Sequence, residues 1–111
     1  MRNLTMLTDL YELTMMYGYW KKGMGRNRAV FDMFYRATSD TTAYAIAAGL
    51  EQVIDYINNL RFEEHDIEYL RSLNLFDEEF LNYLRGFKFT GDIMAVPEGT
   101  LVFSYEPIVR V

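Results

Sequence analysis

The sequence predicts an α+β domain in which N-terminal helices and one strand are followed by short, mostly antiparallel strands. Three observations carry this. Apolar residues recur at helical spacing in two stretches of the first ninety positions, Leu10 to Met24 and Ile46 to Leu60. Both prolines, Pro97 and Pro107, fall near the end of the chain, so they break nothing before it. The end itself is a series of short β-prone runs separated by turn residues.

The first helix is expected from Asp9 to about Lys22. Asp9 followed by Glu12 is a capping-box pattern, and Leu10, Leu13, Tyr17, Trp20 and Met24 make an apolar stripe. Lys21 and Lys22 suit the negative end of the helix dipole, and Gly23 closes the helix. Ala29–Arg36, with Val30, Phe31, Phe34 and Tyr35, reads as a strand. Ala43–Leu60 reads as one amphipathic helix, since Ile46, Leu50, Val53, Ile57 and Leu60 step by three or four. Glu64–Leu73 follows, with Asn74 in the left-handed closing position. Asp77–Arg85 has Asp77 as N-cap, Gly86 as closer and a Phe76–Leu81 hydrophobic staple. Strands are then expected at Phe87–Phe89, Ile93–Val96, Thr100–Phe103 and Ile108–Val111. The last stops on an apolar residue with no cap or polar tail, so it is expected to need a continuation or a partner.

The length of 111 residues suits a single domain able to hide about two-thirds of its unfolded surface. Half the residues are apolar and 24% charged, a globular composition. Without cysteine this chain has no disulfide scaffold, thiolate metal site or cysteine nucleophile. A net charge of −5 disfavours nucleic acid as a partner. The longest uncharged stretch, Thr41–Leu50, is too short to cross a bilayer, and the N-terminus lacks the apolar core of a signal peptide. The expectation is a soluble, cytoplasmic protein. Aromatic residues make up 16% of the chain, with nine Tyr, eight Phe and Trp20. They serve either a small core of large side chains or a surface covered by another domain or subunit.

Few residues point to chemistry by themselves. Glu63 with Glu64 and Glu78 with Glu79 fall in helix first turns, where the dipole explains them better than a metal or catalysis does. The sole histidine, His65, sits between Glu64 and Asp66 on a solvated face. Met15–Met16 reads as packing. No glycine-rich phosphate loop is present. Arg36 is the exception. It ends an apolar strand and precedes the polar stretch Ala37–Thr42, and a guanidinium there is either a bidentate phosphate ligand or half of a surface ion pair.

Five stretches in register resemble the N-terminal region of nicotinate phosphoribosyltransferases: Leu7–Met15, Ala29–Arg36, Tyr44–Ile46 with Gly49–Val53, Asp66–Leu70, and Phe89–Ile93 with Pro97–Thr100. The resemblance implies the N-terminal domain of a type II phosphoribosyltransferase, and so an N-terminal fragment of a longer enzyme whose catalytic barrel lies beyond residue 111. It implies formation of nicotinate mononucleotide and pyrophosphate from nicotinate and phosphoribosyl pyrophosphate, in NAD salvage. Mg²⁺ and ATP hydrolysis assist the complete enzyme, and neither is expected on this chain alone. Active sites are shared across a homodimer, with no nucleic acid or membrane partner.

By the same resemblance Tyr11 matches the tyrosine that stacks on nicotinate in the neighbouring subunit's site, and Arg36 an arginine at the phosphoribosyl pyrophosphate end. Asp9 and Thr14 belong to the Tyr11 motif. No catalytic or metal-binding residue is assigned, because the family's phosphorylated histidine lies in the barrel and His65 does not match it. The loop Ala37–Thr42 lacks the proline and glycine that relatives often carry. The 111 residues alone are expected to be inactive. A non-catalytic association or ligand-binding module, or a nicotinamide-using relative, is the alternative.

Overall fold

A computed structural model describes residues 2–37 and 43–111; the segment 38–42 of the loop after Arg36 lies outside the described residues. The element order is α1 (Leu10–Lys21), β1 (Asp32–Met33), β2 (Ala45–Ile46), α2 (Leu50–Asn58), α3 (Glu64–Ser72), α4 (Glu78–Arg85), β3 (Met94–Ala95), β4 (Leu101–Val102) and β5 (Val109–Arg110). This is the α+β class expected. The chain gathers into two compact units, one of Met1–Arg28 with Tyr56–Phe89 and one of Ala29–Asp55 with Thr90–Val111.

The first unit is helical. Its core is Leu13, Ile67, Leu70, Phe80, Leu81 and Leu84, with Met16, Tyr17, Trp20, Phe62 and Phe76 packed around it. Phe80 is fully buried, its ring 4.9 Å from Tyr17, 5.5 Å from Trp20 and 5.5 Å from Phe76. Part of the aromatic load is therefore core. Local chemistry sets the helix ends much as expected. At α1 the Asp9 N–H donates to the Glu12 carboxylate at 3.2 Å, and Gly23 closes the helix at φ +69°. Asn74 takes the left-handed position at φ +55°. Asp77 caps α4 by accepting the Phe80 N–H at 2.9 Å, and it also accepts the Tyr17 hydroxyl and pairs with Lys21. The Lys21 ammonium, then the Phe80 N–H, hold the Asp77 carboxyl below the usual carboxylate range. Gly86 ends α4 without a left-handed backbone, at φ −95°. Phe76, ahead of the cap, packs on the cluster that contains Leu81, and its ring meets Phe80.

One acid of each pair at the helix starts meets an arginine of the neighbouring helix. Arg71 on α3 forks onto Glu78 on α4 at 2.6 and 3.1 Å, and Arg85 on α4 returns to Glu64 on α3 at 2.6 and 3.0 Å. These arginines keep both carboxyls below their ordinary range. Glu63 is the residue before α3, and its N–H donates to Asp66 at 2.8 Å.

The stripe expected on α1 is only partly inward. Leu13 is buried and Tyr17 and Trp20 are packed, but Leu10 and Met24 are exposed. Met16 packs, whereas Met15 is exposed. The helix is apolar on more than one face, so periodicity alone does not choose which face turns inward. Phe87–Phe89 is not a strand. Phe87 instead sets its ring edge-on to Phe62 and Tyr83, because aromatic burial is available there and a strand partner is not.

The second unit holds two small antiparallel sheets, β1–β5–β3 and β2–β4. β1 is shorter than the expected strand, yet ladder bonds continue on either side of it. Phe31 and Val111 exchange N–H and C=O at 3.0 and 2.9 Å, and the Ile108 N–H reaches Met33 O at 2.8 Å. The strand at the chain's end is thus central to its sheet and finds partners on both sides within the chain.

The largest correction concerns Ala43–Leu60. Its first part is strand β2, paired Ala45 with Val102 and Ile46 with Leu101, and the helix begins only at Leu50. Gly49 at φ +106° separates the two, a conformation open to glycine and closed to most other residues. Glu98 then caps the helix from afar, its carboxylate accepting the Gly49 N–H at 2.8 Å and the Leu50 N–H at 3.0 Å. A methyl group at Gly49 would meet nothing closer than Gln52 Oε1 at 3.9 Å. Gly49→Ala is therefore expected to cost about 1–3 kcal/mol through backbone strain alone. The check is denaturant unfolding beside Gly18→Ala, which sits in α1 with open space around it and should be neutral or stabilising.

Candidate functional site

Asp9, Tyr11 and Thr14 come together at the start of α1, in the first unit. The Asp9 carboxyl stands at the N-cap position, where the backbone is extended at φ −82°, ψ 145°. The Glu12 N–H donates to Asp9 O at 3.1 Å, which fixes the first turn. Thr8 also donates its hydroxyl to the Glu12 carboxylate. Thr14 spends its hydroxyl proton on Tyr11 O at 3.0 Å, within the helix. The motif is thereby a rigid helix start with Tyr11 carried on its outer side.

Tyr11 is 59% exposed, so it is not a core residue. Met15 and Tyr19 follow it at four-residue steps, and both are exposed. Tyr11, Met15 and Tyr19 form an outward apolar strip on α1, opposite in role to the strip of Leu13, Met16, Tyr17 and Trp20 that packs inward. This overturns the expectation that Met15 packs, and it adds Tyr19, which no sequence motif singles out. The four-residue spacing is legible in the sequence, but a second stripe on one helix gives no sign of which is the outward one.

Arg36 belongs to the second unit, just past the β1 ladder. It is exposed, and among the described residues its guanidinium has no hydrogen-bond or ion-pair partner. The surface ion pair of this ladder is formed instead by Arg110 and Asp32, at 2.6 and 3.0 Å. That pairing holds the Asp32 carboxyl below its usual range. Arg36 is left as a fork of donors, unpaired among the described residues, next to the hydroxyl-rich segment that lies outside them.

Neither His65 nor the acidic pairs build a further centre. His65 is exposed, with its ring 3.2 Å from Asp66 and 3.6 Å from Glu63. Among the described residues no group of three or more His, Cys, Asp or Glu side chains could hold a metal ion. No described helix is long and apolar enough to cross a membrane.

The comparisons with known proteins converge on one family. The model of the nicotinate phosphoribosyltransferase (NAPRTase) N-terminal domain matches residues 6–111. The chain is 46% identical over 105 residues to nicotinate phosphoribosyltransferase pncB2 of Mycobacterium tuberculosis, covering 95% of this chain and 22% of that protein. It is 41% identical over 109 residues to the nicotinate phosphoribosyltransferase of Bacillus subtilis, covering 98% and 22%. The crystal structure of human nicotinic acid phosphoribosyltransferase superposes with a TM-score of 0.80 at 34% identity, over 93% of this chain and 21% of that one. The chain thus spans about a fifth of the length of these relatives. Tyr11, Thr14, Asp9 and Arg36 all lie inside the matched segment, and with that segment reaching from residue 6 to residue 111 the chain belongs to the nicotinate phosphoribosyltransferase N-terminal domain family.

Proposed function

We propose that this chain is the N-terminal part of a nicotinate phosphoribosyltransferase that joins nicotinate to phosphoribosyl pyrophosphate, giving nicotinate mononucleotide and pyrophosphate in NAD salvage. The observation that carries the reading is the family match over residues 6–111. The complete enzyme is a cytoplasmic homodimer with shared active sites, and it couples ATP hydrolysis, with Mg²⁺, to turnover.

In this reading Tyr11 offers its ring face to the flat pyridine of nicotinate in the neighbouring subunit's site. Its exposure supports the role, since a stacking ring must be reachable. Arg36 offers a planar fork to phosphate oxygens of phosphoribosyl pyrophosphate. Its lack of a partner among the described residues supports that role, because a guanidinium already held by a carboxylate would have to give up that pair to bind phosphate. Asp9 and Thr14 complete the Tyr11 motif on the substrate side. Both substrates are anions and the chain carries −5, so a cation at the site has work that the overall charge cannot do.

The test is the complete protein given phosphoribosyl pyrophosphate, ATP and Mg²⁺ with either nicotinate or nicotinamide, and products separated by chromatography. Nicotinate mononucleotide is the expected product. No product, or product from nicotinamide alone, overturns the reading. The 111-residue chain run in parallel is expected to make none, because one arginine cannot hold both a pyrophosphate and the charge that departs with it.

A further inference from the structure

The backbone on both sides of Arg36 is held by one distant turn. Ala37, the residue after it, donates its N–H to Ser104 Oγ at 2.9 Å. Tyr35, the residue before it, has a carbonyl that accepts the Tyr105 N–H at 3.0 Å and the Ser104 hydroxyl at 3.4 Å. One residue further back, the Phe34 ring lies 5.6 Å from the ring of Tyr105. A serine hydroxyl can accept and donate at once, and here it does both across a single residue.

The turn that supplies these groups is closed on itself. The Glu106 N–H donates to Phe103 O at 3.2 Å, and the Glu106 carboxylate accepts the Phe103 N–H at 2.8 Å. Its third residue, Tyr105, has φ +64°. That position in a turn ordinarily falls to glycine or asparagine, and a bulky side chain there is a conformational cost. Strain of this kind persists where the surroundings over-determine it, and it gathers at functional positions. Here the surroundings are the backbone flanking Arg36.

We propose that Ser104 is a positioning residue for Arg36: by bridging Tyr35 O and the Ala37 N–H it fixes the strand end from which the guanidinium reaches the phosphates of phosphoribosyl pyrophosphate. This rests on the assignment of Arg36 above. Ser104 touches no substrate; it removes freedom that Arg36 would otherwise lose on binding.

Steady-state kinetics of the complete enzyme with Ser104→Ala, Ser104→Thr, Arg36→Gln and the Ser104→Ala/Arg36→Gln pair test this, with melting temperatures measured alongside. Ser104→Ala is expected to raise KM for phosphoribosyl pyrophosphate about threefold to tenfold, the scale of a hydrogen bond, while KM for nicotinate and the melting temperature hardly move. Ser104→Thr keeps the hydroxyl and should restore the wild-type value. Arg36→Gln should raise the same KM by about tenfold or more. Adding Ser104→Ala to it should change nothing further, because the group being positioned is gone. If Arg36→Gln raises KM but Ser104→Ala does not, the inference fails and the Arg36 assignment stands. If Ser104→Ala lowers stability and worsens both KM values together, Ser104 is only structural and the inference also fails. If Arg36→Gln leaves KM unchanged, the assignment of Arg36 falls and takes the inference with it.

Discussion

Phe80→Ala is expected to lower the stability of the first unit by about 3–5 kcal/mol, the range found for large aromatic truncations in packed cores. Phe80 is fully buried and ringed by Tyr17, Trp20, Phe76 and Tyr83, at centroid distances from 4.9 to 6.0 Å. Removing it leaves a cavity whose walls are large rigid rings, which relax poorly into empty space. It also undoes four aromatic contacts in one step. Small domains hold only about 5–15 kcal/mol of stability in total, so this one truncation takes roughly a fifth of it or more. Tyr69→Ala is the control. Tyr69 lies on α3 next to buried Leu70 but is itself exposed, and its loss should stay within about 0.5 kcal/mol. Denaturant midpoints of the two variants in the complete protein separate them. Equal midpoints would mean that the aromatic cluster is not the centre of this fold.

Tyr11→Ala is expected to leave folding intact and to weaken nicotinate use. Were Tyr11 a core tyrosine, its truncation would cost about 3–5 kcal/mol of stability and harm both substrates together. With 59% of it exposed, the folded state loses little packing, and the melting temperature should shift only slightly. If the ring stacks on nicotinate, kcat/KM for nicotinate should fall by about 0.5–1.5 kcal/mol or somewhat more, roughly threefold to tenfold or beyond. KM for phosphoribosyl pyrophosphate should change less. Tyr11→Phe keeps the ring face and should be mild. An unchanged nicotinate constant in a well-folded Tyr11→Ala enzyme would remove Tyr11 from the proposed site.

Part of the proposed residue assignments is legible in the amino-acid sequence alone. Tyr11 stands one position off the expected inward stripe, and its exposure agrees with that reading. Arg36 can be picked out as a strand-end arginine beside hydroxyl residues, but its lack of a partner among the described residues cannot. The sequence offers Asp32 four residues away as an equally good counter-ion, and only the register shows that Arg110, directly opposite, has taken it. Ser104 carries no signal at all. The groups its hydroxyl meets, Tyr35 O and the Ala37 N–H, lie about seventy residues back along the chain.

The sequence by itself determined the helices of the first unit and nearly all their ends. Asp9 with Glu12, Gly23, Asn74 and Asp77 act on backbone groups within a few residues, so the physics is local and can be read locally. Only the tertiary structure decided the fate of Ala43–Gly49. Its apolar residues fit a helical period, yet the chain there pairs with Leu101–Val102 and turns at Gly49 beneath the carboxylate of Glu98. A helix finds its hydrogen-bond partners four residues away, whereas a strand must find them on another strand, here more than fifty residues on. The same distinction hid which face of α1 is buried and which turn holds Arg36, since both depend on segments that meet only when the chain has folded.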